Sequence, residues 1–265
     1  MARLFCATIL GVFVISTLSA HDVWLQTNTA IVRTGEGIHI DLMLGNHGND
    51  HRDFKLASKI GVDKVQHLQV ISPHGRKTDL KPLLTDLGYT PKEGFHSARF
   101  VAAEPGLYTA AMFTDGIVNH GKAVRSVRSS KAFFLASEKL DKLGDSSGFD
   151  KPLGHAIEMV PLTNPITPMG PGTPVKLQLL LHGKPLAGVK VSFIPRGVTL
   201  KEGLDQDYER VSDAQGRVSY EPKLGGYYLI VAHHKTDEKS ANYELTQYTA
   251  TMSLLVPEKC PCCDE

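Results

Sequence analysis

The sequence predicts an all-β chain of two antiparallel sandwiches, and three observations predict it. In the first half Ile38, Ile40, Leu42 and Leu44 alternate with His39, Asp41 and Met43, the period of two that marks a half-buried strand. In the second half Val175, Leu177, Leu179 and Leu181 alternate with Lys176, Gln178 and His182, and Val189, Val191 and Phe193 share one face beyond a Gly-Lys-Pro turn. Between the halves, Gly144-Asp145-Ser146-Ser147-Gly148 is too polar and too rich in glycine to continue any element.

Taken in order, residues 1–20 read as a signal peptide. Arg3 supplies a positive start, Leu4 to Ile15 an apolar run, and Ser16 to Ala20 the small residues that signal peptidase cuts beside. The N-terminal sandwich is expected over 21–136. Its strands are Ile38–Leu44, Val65–Ser72, Phe95–Ala102, Leu107–Phe113 and Lys131–Ala136. Alternation turns His39 away from the core and His96 toward it. Asp115 to His120 reads as a loop. Residues 137–154 form the linker, opening with enough Glu, Lys and Leu for one or two helical turns. The C-terminal sandwich is expected over 155–257, where Ser212 to Arg217 is a tight turn and Tyr227–His233 and Tyr248–Val256 are the closing strands. The two sandwiches are expected to fold separately, followed by a cysteine-rich tail over 258–265.

Composition bounds the function. The chain has 265 residues with 29 basic against 28 acidic side chains, which balance once Arg3 is cleaved away. No basic run or nucleic-acid motif is present, and no polybasic patch for a membrane surface. Beyond the leader no apolar stretch approaches the ~20 residues of a membrane span. The expectation is a periplasmic or extracellular protein with no nucleic-acid partner and no membrane insertion after cleavage.

Cleavage after Ala20 makes His21 the first residue, and such a histidine offers a metal its imidazole Nδ1 and its own α-amine together. An α-amine titrates near pH ~8, so a metal can displace its proton at neutral pH. Cleavage after Ser19, with Thr17 three residues before the cut, leaves Ala20 first and weakens that chelate. Ligand partners for His21 must come from separate loops, because the twelve histidines show no paired spacing. His47 and His120 sit in glycine- and asparagine-rich turns and are the first candidates, and His51 follows. His233 and His234 end a strand, so at most one of the two faces any given site, and His233 is taken as the candidate. His74 and His182, beside turns, read as ordinary surface residues. Cys260, Cys262 and Cys263 form a Cys-Pro-Cys-Cys tail that suits copper(I) or zinc, forms disulfides in an oxidising compartment, or is idle. Imidazole and amine nitrogens suit nickel, cobalt, copper and zinc.

Three further motifs carry a resemblance. They are Gly183-Lys184-Pro185-Leu186-Ala187-Gly188-Val189, Ser212-Asp213-Ala214-Gln215-Gly216-Arg217-Val218 and Gly225-Gly226-Tyr227-Tyr228-Leu229. Together they resemble transthyretin-like or Cna-B-like modules of immunoglobulin-like sandwich type. With the junction Gly154-His155-Ala156-Ile157-Glu158-Met159-Val160-Pro161 and the opening His21-Asp22-Val23-Trp24-Leu25, the whole mature chain is similar to an exported family. That family is described as periplasmic components of cobalt/nickel ABC-type transport systems. The resemblance implies a non-catalytic carrier of divalent nickel or cobalt that serves a membrane permease. Two alternatives stand beside it. A copper-binding N-terminal-histidine protein could be a carrier or a monooxygenase, and a sandwich module could be purely adhesive. The chain lacks a nucleophile elbow, a phosphate loop, a dinucleotide fingerprint and a His-Glu-x-x-His helix motif. No catalytic residue is assigned.

Overall fold

The computed structural model describes residues 21–47, 60–88, 93–119 and 121–258. The strands of the first half are β1 (Asp22–Thr27), β2 (Ile31–Arg33), β3 (Gly37–Gly45), β4 (Val65–Ile71), β5 (Lys77–Asp79), β6 (Leu84–Asp86), β7 (His96–Val101), β8 (Gly106–Asn119) and β9 (Ala123–Ser137). Those of the second half are β10 (Ile157–Pro161), β11 (Val175–Leu181), β12 (Lys184–Pro185), β13 (Lys190–Pro195), β14 (Glu209–Val211), β15 (Arg217–Tyr220), β16 (Gly226–Thr236) and β17 (Leu245–Val256). Among the described residues no helix is long and apolar enough to cross a membrane.

The all-β, sandwich-type architecture agrees with the alternating pattern of the sequence. A nine-stranded sheet runs β14-β13-β16-β17-β9-β8-β4-β5, with β2 also on β9. A four-stranded sheet, β1-β3-β7-β6, packs on one face of it, and a sheet of β10, β11, β12 and β15 packs on the other. Strand β9 is the pivot because it alternates between two cores. Ala132, Phe134 and Ala136 enter the first, with Leu25, Ile40, Leu42 and Tyr108. Val127, Phe133 and Leu135 enter the second, with Leu177, Phe193, Ile230 and Met252. Tyr108 and Phe134 stack 5.0 Å apart, and the tyrosine hydroxyl donates to the Glu104 carbonyl at 2.9 Å. This satisfies the one polar atom that burying the ring would otherwise strand. At the turn between β14 and β15, which passes from one sheet to the other, Gly216 adopts φ +70°, and a Cβ there would lie 2.5 Å from the Leu179 carbonyl oxygen.

Three expectations are corrected. The two halves do not form separate sheets: β9 and β17 pair in parallel, from Leu245 opposite Val124 to Met252 opposite Lys131. The cause is that most side chains of the two paired stretches are buried, on both faces of the sheet, so neither strand makes a solvent-facing edge. The supposed loop Asp115 to Asn119 continues β8, paired with Ala123 to Val127, because tertiary pairing overrides the weak strand propensity of Asp and Gly. Residues 138–142 bend without forming a helical turn, since Ser137 Oγ donates to the Lys139 carbonyl at 2.7 Å and offers the backbone a local alternative.

A buried ion pair fastens the covering sheet to the shared one. Lys131 Nζ on β9 lies 2.5 Å from Glu158 Oε1 on β10, with the side chains 3% and 2% exposed. Glu158 also accepts the backbone N–H groups of Leu153 and Gly154, so the end of the linker is tied to the same carboxylate. Burial pushes the Lys131 amine down, and the Glu158 charge works against that.

Candidate functional site

The outer edge of β1 faces the shared sheet. An edge strand carries unpaired backbone groups, and here side chains of the sheet satisfy them. The Leu25 N–H donates to Ser130 Oγ at 2.9 Å, and Thr251 Oγ1 donates to the Val23 carbonyl at 2.9 Å. One residue further toward the chain start, Asp22 Oδ1 lies 2.7 Å from His233 Nε2. Asp22 thus crosses to the strand that carries the histidine pair. His233 and His234 alternate as the period of two requires: His233 faces Asp22, while the His234 ring tilts onto Tyr248 at 6.5 Å.

His233 Nε2 is occupied by the Asp22 carboxylate. Burial alone would lower the His233 pKa, but the hydrogen bond and charge of Asp22 raise it above its ordinary value. When the imidazole is neutral and Nε2–H donates to Asp22, Nδ1 carries the free lone pair. This is the arrangement in which a carboxylate fixes the tautomer of a metal-binding histidine. Register places Thr249 opposite His233, and Arg128 opposite Thr249. His233, Thr249 and Arg128 therefore form one row across the sheet face beneath Asp22.

His21 is exposed and immediately precedes β1, next in sequence to the Asp22 that pairs with His233. His47 lies at the same end of that strand pair, two residues past Gly45, which is opposite Asp22. The expectation of an exposed, bendable His47 is corrected, because the residue is only 3% exposed. Its Nδ1–H donates to the Ile194 carbonyl at 2.8 Å, and its ring meets the Trp24 edge at a centroid distance of 5.8 Å. Burial, then the Arg196 charge, lower its pKa to about 4. His47 packs the junction between β3 and β13, with Trp24, Met43, Leu229 and Val231 forming a small apolar cluster there. His51, His120, Cys260, Cys262 and Cys263 lie outside the described residues. Among the described residues, no group of three or more His, Cys, Asp or Glu side chains could hold a metal ion. A site at His21 therefore depends on the amine as well as on side chains.

Sequence reasoning missed Asp22 as a partner of His233 and missed Arg128 altogether. Asp22 stood in the opening motif, but its partner is 211 residues away, and nothing local signals such a pairing. A cleft of about 820 Å³ lies elsewhere, bounded by Ser72, Gly106, Ser137, Lys139 and Lys151. None of the proposed metal ligands lines it.

The family model described as Domain of unknown function (DUF4198) matches residues 18–236. The chain belongs to the DUF4198 family. That span holds the whole β1–His233 arrangement and ends with β16. No curated protein matches the sequence. Among solved structures, the chain is similar to the D0-D1 domain of intimin at 12% identity and TM-score 0.22, covering 89% of this chain and 98% of that one. It is similar to the human OSCAR ligand-binding domain at 15% identity and TM-score 0.21, covering 90% and 100%. It is also similar to trypsin-activated alpha-2-macroglobulin from Escherichia coli at 13% identity and TM-score 0.25, covering 88% and 15%. Likenesses this distant carry no functional argument.

Proposed function

We propose that this DUF4198 protein is an extracytoplasmic carrier for a divalent transition metal, nickel or cobalt before copper or zinc, which hands its cargo to a membrane permease. The observation that carries the reading is the 2.7 Å contact between Asp22 and His233. It ties a histidine from the far end of the chain to the residue that follows His21, with the histidine oriented for a ligand. On cleavage after Ala20, the α-amine and Nδ1 of His21 close one chelate ring, and His233 Nδ1 adds a third nitrogen. Three nitrogen donors suit nickel, cobalt and copper. A binding role without catalysis fits the absence of catalytic motifs noted in the sequence.

Intact mass and N-terminal sequencing of the exported protein after nickel loading test the first residue and the stoichiometry together. One alanine added ahead of His21 moves the amine without altering a side chain. The extended protein should fold normally and lose several kcal/mol of nickel affinity, out of the ~10 or more typical of strong metal sites. Unchanged affinity would remove the N-terminus from the ligand set. No nickel binding by the native form would return the protein to the class of structural modules.

A further inference from the structure

The cleft of about 820 Å³ opens between the turn that joins β4 to β5 and the connection that follows β9. Both of its walls are fixed. On the first, a Cβ added to Gly106 would lie 2.7 Å from Pro73 Cγ, so the turn sits hard against the start of β8. On the second, the Gly144 N–H donates to Ser137 Oγ at 3.3 Å, and Asn164 Nδ2 donates to Ser146 Oγ at 2.6 Å. Glu158 holds the end of the same connection through the N–H groups of Leu153 and Gly154, while Leu143 and Phe149 pack against the second core. Ile71, Leu107 and Leu153 give the lining its apolar share. Lys139, Lys142 and Lys151 line it as well, all three exposed. Among the described residues none of these three ammonium groups has a hydrogen bond or an ion pair. A Cβ added to Gly148 would stand 3.9 Å from Lys151 Nζ, so that ammonium lies over a glycine of the cleft wall. Two carboxylates share the lining. Asp145 is committed to Ser147, whose N–H and hydroxyl it accepts at 3.0 and 2.7 Å, and Glu138 is exposed.

We propose that this cleft binds a small organic anion with an apolar body, its charged group among Lys139, Lys142 and Lys151 and its body against Ile71, Leu107 and Leu153. The size fits, since pockets for small molecules hold roughly 300–1,000 Å³ and set a few orienting polar groups beside apolar surface. The charge fits as well. An ammonium group has three donors and no acceptor, so lysines gathered on one concavity repel one another until an acceptor-rich anion joins them. Walls already held by hydrogen bonds leave little to be ordered when the ligand enters. The cleft shares no residue with the metal-carrier reading and is tested apart from it.

The test uses the mature protein and two naphthalene dyes of similar shape, anilinonaphthalene sulfonate, which is an anion, and phenylnaphthylamine, which is neutral. Fluorescence titration should show one saturable site for the anion, weakened by added salt, and about tenfold weaker binding of the neutral dye. Combining Lys139→Gln, Lys142→Gln and Lys151→Gln should weaken the anion by about tenfold and leave the neutral dye unchanged. A merely structural loss would weaken both. Acetylation of the native protein by acetic anhydride, read by peptide mass spectrometry, locates the site without any substitution. The bound anion should protect Lys139, Lys142 and Lys151 and leave the exposed Lys176 and Lys184 unprotected. Absence of a saturable site, equal affinity for the two dyes, or protection spread evenly over the five lysines would overturn the proposal. So would equal losses for both dyes in a folded triple variant.

Discussion

Arg128 and Lys131 are both cations of β9, yet their parity puts them on opposite faces of the shared sheet. Lys131 enters the second core and meets Glu158 at 2.5 Å, with both side chains almost fully buried. Arg128 faces the β1 side and meets no such partner among the described residues. The same strand thus holds one charge whose desolvation is matched by a carboxylate and one whose desolvation is not. A matched ion has little left to offer a ligand and serves as a fastener. An unmatched one remains available.

The largest expected effect breaks that contrast if it fails. Lys131→Ala or Glu158→Gln should cost about 3–5 kcal/mol in urea unfolding, because each leaves a polar group buried alone. Replacing both, Lys131→Met with Glu158→Leu, should recover most of the loss. Arg128→Gln should move stability by about 1 kcal/mol or less. Equal costs for Lys131→Ala and Arg128→Gln would show that the two cations do the same work.

The histidines extend the comparison. His47 has its folded pKa lowered to about 4 from 6.5. Its contribution is therefore present above pH 6.5 and is lost as pH falls toward 4, by about 3 kcal/mol in all. His155, also lowered to about 4 chiefly by burial, adds to the same loss. His233 has the opposite sign: its raised folded pKa gives stability that is full below the unfolded value and is lost as pH rises through the folded one. Thermal melts between pH 7 and pH 4 should show a steep fall that His47→Gln flattens and Asp22→Asn steepens. A His47→Gln protein with the native slope would contradict the burial argument.

Asp22→Asn should weaken nickel binding by ten- to a hundredfold, the usual cost of losing an outer carboxylate on a ligating histidine, as read by competition with a metal-binding dye. An unchanged affinity would mean that His233 is not held for a metal. The smallest effect concerns the chain connection. Protease should nick near 144–148, but the two fragments should co-elute on gel filtration, because β9 and β17 stay paired across the nick. Separation into two folded fragments would restore the independent halves that the sequence suggested.

Much of the fold was legible in the sequence because it depends on local periodicity. The alternation at Ile38–Leu44 reappears as β3, and that at Val175–Leu181 as β11. Register across the chain was not legible. Nothing in Lys131–Ala136 announced that β9 begins at Ala123 or that it pairs with the last strand. For the site, His21 and His233 could be nominated by chemistry and position, whereas His47 was misread because glycine and asparagine around it implied exposure. The Trp24 face had to be known before that side chain could be placed in the interior. Asp22 and Arg128 act through partners far along the chain, which no spacing rule encodes.

The parallel seam also constrains the order in which this molecule can be completed. Val124 finds its neighbour at Leu245, so more than a hundred residues must emerge before the central sheet closes. Until then β9 presents an open flank of unpaired backbone N–H and C=O groups. Long loop closure and distant pairing slow folding and leave such flanks exposed to other chains. Strand β17 therefore serves as a closing piece: a chain halted before residue 245 would carry nearly all of its first core together with a sticky, unpaired edge.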